Sequence, residues 1–124
     1  MTKQDLILRN RKFVLDVLDA VQCLPHDRIY DVLVRQLVRC STSIGANYRA
    51  ACKAKSPADF VNKLKITEEE SDEANYFLDV ISSTDNGRYR ECFSKVLQES
   101  DQLAAIYAKS VVTVKARINA QRPS

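Results

Sequence analysis

Three acidic residues, Glu69, Glu70 and Glu73, and a run of hydroxyl residues, Ser41, Thr42 and Ser43, are the groups whose type and spacing first suggest chemistry. Glu69 and Glu73 stand one helical turn apart, close enough to share a metal ion or hand on a proton. Helical bundles that hold two irons do so with paired Glu-x-x-His motifs on facing helices. The one histidine, His26, follows Pro25 in a segment with turn chemistry, so a ferritin-like centre is excluded and no metal is expected. The hydroxyl run has no helical histidine to act as a base and no glycine-rich turn to hold an oxyanion. No catalytic residue, cofactor or small-molecule substrate is therefore expected. The acids read as a solvated face or as partners of basic residues on a neighbouring helix. Glu70 and Glu73 lie beside the Ile66 and Phe77 side of their segment, which places such pairs near a subunit interface.

Basic residues make the stronger pattern. From Arg35 to Lys65 there are seven of them (Arg35, Arg39, Arg49, Lys53, Lys55, Lys63 and Lys65) against the single acid Asp59, and the acidic run from Glu68 to Asp79 follows with no base inside it. On one projected helix, Ile29, Leu33, Leu37, Cys40, Ile44, Tyr48 and Ala51 fall on a core-seeking stripe, while Arg28, Arg35, Arg39, Arg49 and Lys53 fall opposite. Two readings of the basic stripe remain. Arginines recurring every one or two turns can follow a phosphate backbone by charge, with Lys63 and Lys65 adding to the track. Alternatively the stripe answers the acidic run of the next helix, in the same or a neighbouring subunit, which is the reading favoured here. Few aromatic side chains accompany the stripe, so base-specific recognition is not expected. Gln36, Ser43 and Asn47 share the edge of the core stripe. They read as a structural polar ladder, with Ser43 bonding back to the preceding turn and Asn47 across to another helix.

The elements that position these groups follow from composition and punctuation. Two glycines and three prolines in 124 residues, with 45% apolar and 28% charged side chains, point to one all-α domain. Thr2 with Asp5, Asp27, and Ser56 with Pro57 and Asp59 are start signals; Pro25 and the run from Ser82 to Gly87 are stops. Helices are expected over about residues 3–24, 28–54, 57–82 and 89–118, in an antiparallel up-and-down four-helix bundle, with the tail from Asn119 to Ser124 frayed. The third helix has an unusually small and polar core stripe, Phe60, Leu64, Thr67, Ser71, Ala74 and Leu78, which lets a neighbour approach closely. Apolar residues also lie off the core stripes: Leu8 and Leu15 on the first helix, and Ile66, Phe77 and Val80 on the third. A monomer has no use for a second stripe, so self-association is expected.

Cys23, Cys40, Cys52 and Cys92 have no paired spacing, and Cys40 and Cys52 are about 18 Å apart on one helix, too far to bridge. Reduced, mostly buried thiols are expected. With no apolar run near the roughly 18 residues of a membrane span, and no signal-peptide pattern at the amino terminus, the protein is expected in the cytoplasm, off the membrane.

The segments Arg39-Cys40-Ser41-Thr42-Ser43-Ile44-Gly45-Ala46-Asn47-Tyr48-Arg49-Ala50-Ala51, Asp59-Phe60-Val61-Asn62-Lys63-Leu64-Lys65-Ile66 and Glu70-Ser71-Asp72-Glu73-Ala74-Asn75-Tyr76-Phe77-Leu78 together resemble the four-helix bundle proteins encoded in intervening sequences of bacterial 23S rRNA genes. The resemblance implies a small bundle assembled as a ring, with a homopentamer expected, and no established catalytic activity. A related branch comprises accessory proteins of diversity-generating retroelements, which bind nucleic acid and a reverse transcriptase through a basic ring. This chain departs from the pattern in its acids Glu68 and Glu69, in Asn75 where relatives tend to carry an acid, and in a net charge of only +3. The expectation is therefore a non-enzymatic, ring-forming scaffold or adaptor, with its interface at Leu8, Leu15, Ile66, Glu70, Glu73 and Phe77. The alternative is a sequence-nonspecific RNA- or DNA-binding module using Arg35, Arg39, Arg49, Lys53, Lys63 and Lys65.

Overall fold

The first three helices begin where a side chain can satisfy their unpaired amides. In the computed structural model, which describes residues 1–122, α1 spans Lys3–Ala20 and opens on a reciprocal cap. The Asp5 amide donates to Thr2 Oγ1, and the Thr2 amide donates to Asp5 Oδ2, each at 3.0 Å. That amide bond holds the Asp5 carboxyl below its usual range. Asp27 Oδ1 accepts from the amides of Ile29 and Tyr30 at the start of α2, Arg28–Cys52. Ser56 Oγ accepts from the Asp59 amide at the start of α3, Pro57–Ser83, where Pro57 takes a position that needs no donor. α4, Arg90–Gln121, follows a corner in which Asp85, Asn86 and Gly87 all have positive φ. Gly87, at φ 81°, has the one side chain free of steric objection to that conformation.

Four helices joined by short links form the expected up-and-down bundle, and the described residues contain no strand. α3 packs along both α2 and α4, while α1 closes the bundle against α2 and α4. The core is continuous: Phe13 and Val17 of α1, Leu37 and Ile44 of α2, Leu64 and Leu78 of α3, and Phe93, Leu103 and Tyr107 of α4 are all fully buried. Each such side chain contributes about 1.5–3 kcal/mol of burial. Thr67, Ser71 and Ala74 are buried in the middle of α3, as its small-residue stripe predicts.

Three differences from expectation are local. α1 ends at Ala20 and continues to Cys23 only as a tighter 3₁₀ turn. Ile29, placed on the core stripe of α2, is 69% exposed, and its neighbour Tyr30 packs against the core in that turn instead. At the far end, α4 remains helical through Gln121 instead of fraying from Asn119; residues 123–124 of that tail lie outside the described residues.

The cysteine expectation is corrected. Cys23 and Cys92 are both exposed and their sulfurs are joined, whereas Cys40 is buried and Cys52 half-buried. Antiparallel topology brings the end of α1 beside the start of α4, and no local spacing reports on a pair separated by 69 positions.

Candidate interaction surfaces

The basic residues of α2 do form an exposed stripe, but it is interrupted. Arg39 reaches across to α3, donating from Nη1 to Glu70 Oε2 at 3.1 Å and from Nη2 to Glu73 Oε1 at 2.6 Å. Its Nε donates to Gln36 Oε1 at 3.2 Å. Glu70 and Glu73 therefore turn toward α2 of their own chain, and Arg39 is largely neutralised. Arg35 and Arg49, both exposed, flank it about 21 Å apart at 1.5 Å per residue. The ladder is also local. Asn47 Nδ2 donates to the carbonyl and to Oγ of Ser43, both at 2.9 Å, so Asn47 bonds within its own helix and not across to another.

Cations converge instead at one pole of the bundle. An up-and-down fold places the start of α1, the α2–α3 link and the end of α4 at the same end. There a cleft of about 380 Å³ is lined by Lys3, Lys55 and Arg117 over Ala51, Cys52 and Phe60, and among the described residues no carboxylate lines it. Lys3 Nζ sits 5.4 Å from the centre of the Phe60 ring. Lys109 joins Arg117 beside Tyr48 and Phe60, and Lys115 lies with Arg122 near Asn62. Of the predicted basic residues, Lys53 shares this end, while Arg35 stands 18 residues, about 27 Å, up the same helix. Lys63 is half-buried and Lys65 exposed on the first turns of α3. Sequence reasoning missed Lys3, Lys109, Lys115, Arg117 and Arg122. The available signal was that helix ends distant in sequence share a pole once the topology is up-and-down. On the α3–α4 side, nearer the opposite pole, Asp72, Asp79 and Asp101 line a groove, and Asn75 Nδ2 donates to Asp101 Oδ1 at 2.7 Å.

An apolar groove runs between α1 and α2. Its floor is small, made by Thr42, Gly45 and Ala46, and a Cβ on Gly45 would lie 3.8 Å from Asn10 Cβ, ordinary contact distance. Ile7, Val14 and Leu15 form one wall, Arg11 and Arg49 border it, and it encloses about 350 Å³. Along its outer rim Leu8, Leu15 and Leu18 are 55%, 45% and 38% exposed. Ile66 of α3 is also exposed, whereas Phe77 is partly packed against the core with its ring 5.6 Å from that of Tyr76.

Buried polar groups serve packing. Tyr107 OH donates to Asn10 Oδ1 at 2.6 Å inside the bundle, while Asn10 Nδ2 and the hydroxyls of Ser41, Ser71 and Ser82 find no partner among the described residues. Burial pushes the Tyr107 phenol well up and the Cys40 thiol up to about 11, so both stay neutral at ordinary pH. Asn10 was missed, although its place three to four residues from both Leu6 and Phe13 marks it as a core position. Among the described residues no cluster of His, Cys, Asp and Glu could hold a metal ion, and no helix is long and apolar enough to cross a membrane.

The sequence pattern of 23S rRNA-intervening sequence proteins matches residues 3–109, nearly all of the four-helix core. The chain belongs to that family. The chain is also similar to the crystal structure of a protein with unknown function from the S23 ribosomal protein family of Bacteroides thetaiotaomicron. The two are 28% identical, with 90% of this chain and 98% of the other covered and a TM-score of 0.77. No curated protein matches it. Among 23S rRNA-intervening sequence proteins, then, the likeness settles fold and family and brings no enzymatic assignment with it.

Proposed function

We propose that this protein is a non-enzymatic bundle that associates with copies of itself and serves as a scaffold or adaptor. The observation that carries this reading is the exposed stripe Leu8, Leu15 and Leu18 on the rim of the α1–α2 groove. Spacings of seven and three residues put the three leucines on one face of α1, the spacing of a helix-pairing seam. A complementary surface exists on α3, where Ile66 and Tyr76 are exposed beside Glu69 and Asp72, opposite in charge to Arg11 and Arg49 at the groove. Contact between two unlike faces is head-to-tail and builds a ring when the rotation closes. The family resemblance makes five copies the expected number. Light scattering on purified protein tests the reading: a defined multimer is expected, converting to monomer in Leu15→Glu with the helical content unchanged. A monomer at every concentration overturns it.

A second reading rests on a separate observation, the cleft lined by Lys3, Lys55 and Arg117, with no carboxylate among the described residues that line it. In this reading the pole, not the interrupted α2 stripe, meets an RNA or DNA backbone without sequence preference. Retention of a short duplex should fall as salt rises and weaken in Lys55→Ala/Arg117→Ala, while Arg39→Ala changes it little. Retention indifferent to salt and to the pole variants removes the reading.

A further inference from the structure

Four cysteines sit in two different environments. Cys40 is sealed in the core and Cys52 is half-buried, but Cys23 and Cys92 are exposed and touch each other, one in the 3₁₀ turn that ends α1 and the other in the first turn of α4. Neighbouring contacts fix the α4 side of this junction. The Tyr30 and Tyr89 rings meet edge-on at 5.6 Å, and Tyr30 OH donates to Thr84 Oγ1 at 2.9 Å. The α1 side is looser: past Ala20 only Leu24 is buried before Asp27 begins the next helix. A small reagent can therefore reach either sulfur, and the partner sulfur is already in place.

We infer that Cys23 and Cys92 form a surface redox clasp, open as two thiols in a reducing environment and closed as one disulfide on oxidation. The oxidant is a low-molecular-weight disulfide. One cysteine thiolate attacks it, forming a mixed disulfide and releasing one small thiol. The second cysteine then attacks the protein sulfur of that adduct and releases the other. Two protons and two electrons leave the protein, and the reagent departs as two thiols. Excess small thiol runs the exchange backwards. Closure links residues 23 and 92, so α2 and α3 fall within the covalent loop and the carboxyl end of α1 is pinned to α4. A loop of that length strongly restricts the unfolded chain. The clasp also sets how firmly the helix bearing Leu8, Leu15 and Leu18 is held, but its chemistry does not depend on whether copies associate.

The full chain, without denaturant, is equilibrated in oxidised or reduced glutathione, quenched in acid, unfolded and alkylated, and its intact mass is read. The oxidised sample should carry alkyl groups on Cys40 and Cys52 only, the reduced sample on all four cysteines, and a peptide map should contain the Cys23–Cys92 cross-link. The oxidised form should melt higher by about 10 °C or more. Cys23→Ser and Cys92→Ser should each melt with the reduced wild type in both buffers. Full alkylation in both buffers, a cross-link through Cys40 or Cys52, a stable glutathione adduct in place of the cross-link, or a melting temperature blind to redox state overturns the clasp.

Discussion

α1 and α3 are held in the bundle by opposite means. α3 lies between two neighbours and presents Thr67, Ser71 and Ala74, side chains so small that backbones on either side come close. α1 packs against α2 and α4 less extensively and does so through large groups, Leu6, Phe13 and Val17, supplemented by point fastenings to α4. These are the Tyr107–Asn10 hydrogen bond, the two-pronged Arg9–Glu99 ion pair and the Cys23–Cys92 link. On α3 the exposed apolar groups, Ile66 and Tyr76, stand among the acids Glu69 and Asp72. A helix held by a few large anchors keeps a free face, and that face of α1 is where the exposed leucines are.

The comparison can be broken most severely at Phe13. Phe13→Ala should lower unfolding free energy by about 3–5 kcal/mol in urea titration, because a fully buried ring leaves a cavity that the neighbouring helices cannot close. A loss under about 1 kcal/mol would mean that α1 is not anchored as described. At the other helix the failure runs through excess volume. Ala74→Leu should cost about 1–3 kcal/mol by forcing α3 away from its neighbours, with a lower denaturation midpoint as the readout. Exposed Tyr76, two positions on, should accept Leu with no comparable loss.

Tyr107→Phe sharpens the role of the point fastenings. It removes the donor to Asn10 and leaves a buried amide without either partner, at about 1–3 kcal/mol. The same group sets an alkaline limit. Burial raises the phenol of Tyr107 and lifts the Cys40 thiol from 9.0 to about 11 in the folded state. Such groups stabilise fully below their unfolded values, and that contribution fades as pH climbs, since the unfolded chain releases its protons first. Melting temperature should therefore decline from about pH 9 upward, less steeply in Tyr107→Phe. The smallest effect is expected from Arg39→Ala, whose half-exposed ion pairs are screened by solvent, with a melting shift within about 3 °C.

What could be read along the chain and what could not divide on the same physical line. Helix starts at Thr2, Asp27 and Ser56 are local chemistry, decided within three residues, and each lies where its side chain predicts. The small stripe of α3 is periodic and equally legible. Ion pairing between the basic stripe of α2 and the acids of α3 is met, among the described residues at Arg39 alone, where one side chain holds both Glu70 and Glu73. Relations across helices escaped: the meeting of Cys23 with Cys92, the bond from Tyr107 to Asn10, and the gathering of Lys3, Lys55 and Arg117. Each depends on which helix ends share a pole and on how far one rod is slid along another, quantities that no single-helix projection contains.

The corner from Asp85 to Gly87 limits the spelling of this chain in a way its helices do not. Three successive left-handed residues suit Gly, Asn and Asp, and nearly every other side chain crowds its own carbonyl there. A helix surface tolerates wide substitution, but this corner has an alphabet of about three letters. Each residue outside it costs about 1–2 kcal/mol at the bend that aims the last rod, and Cys92 with it.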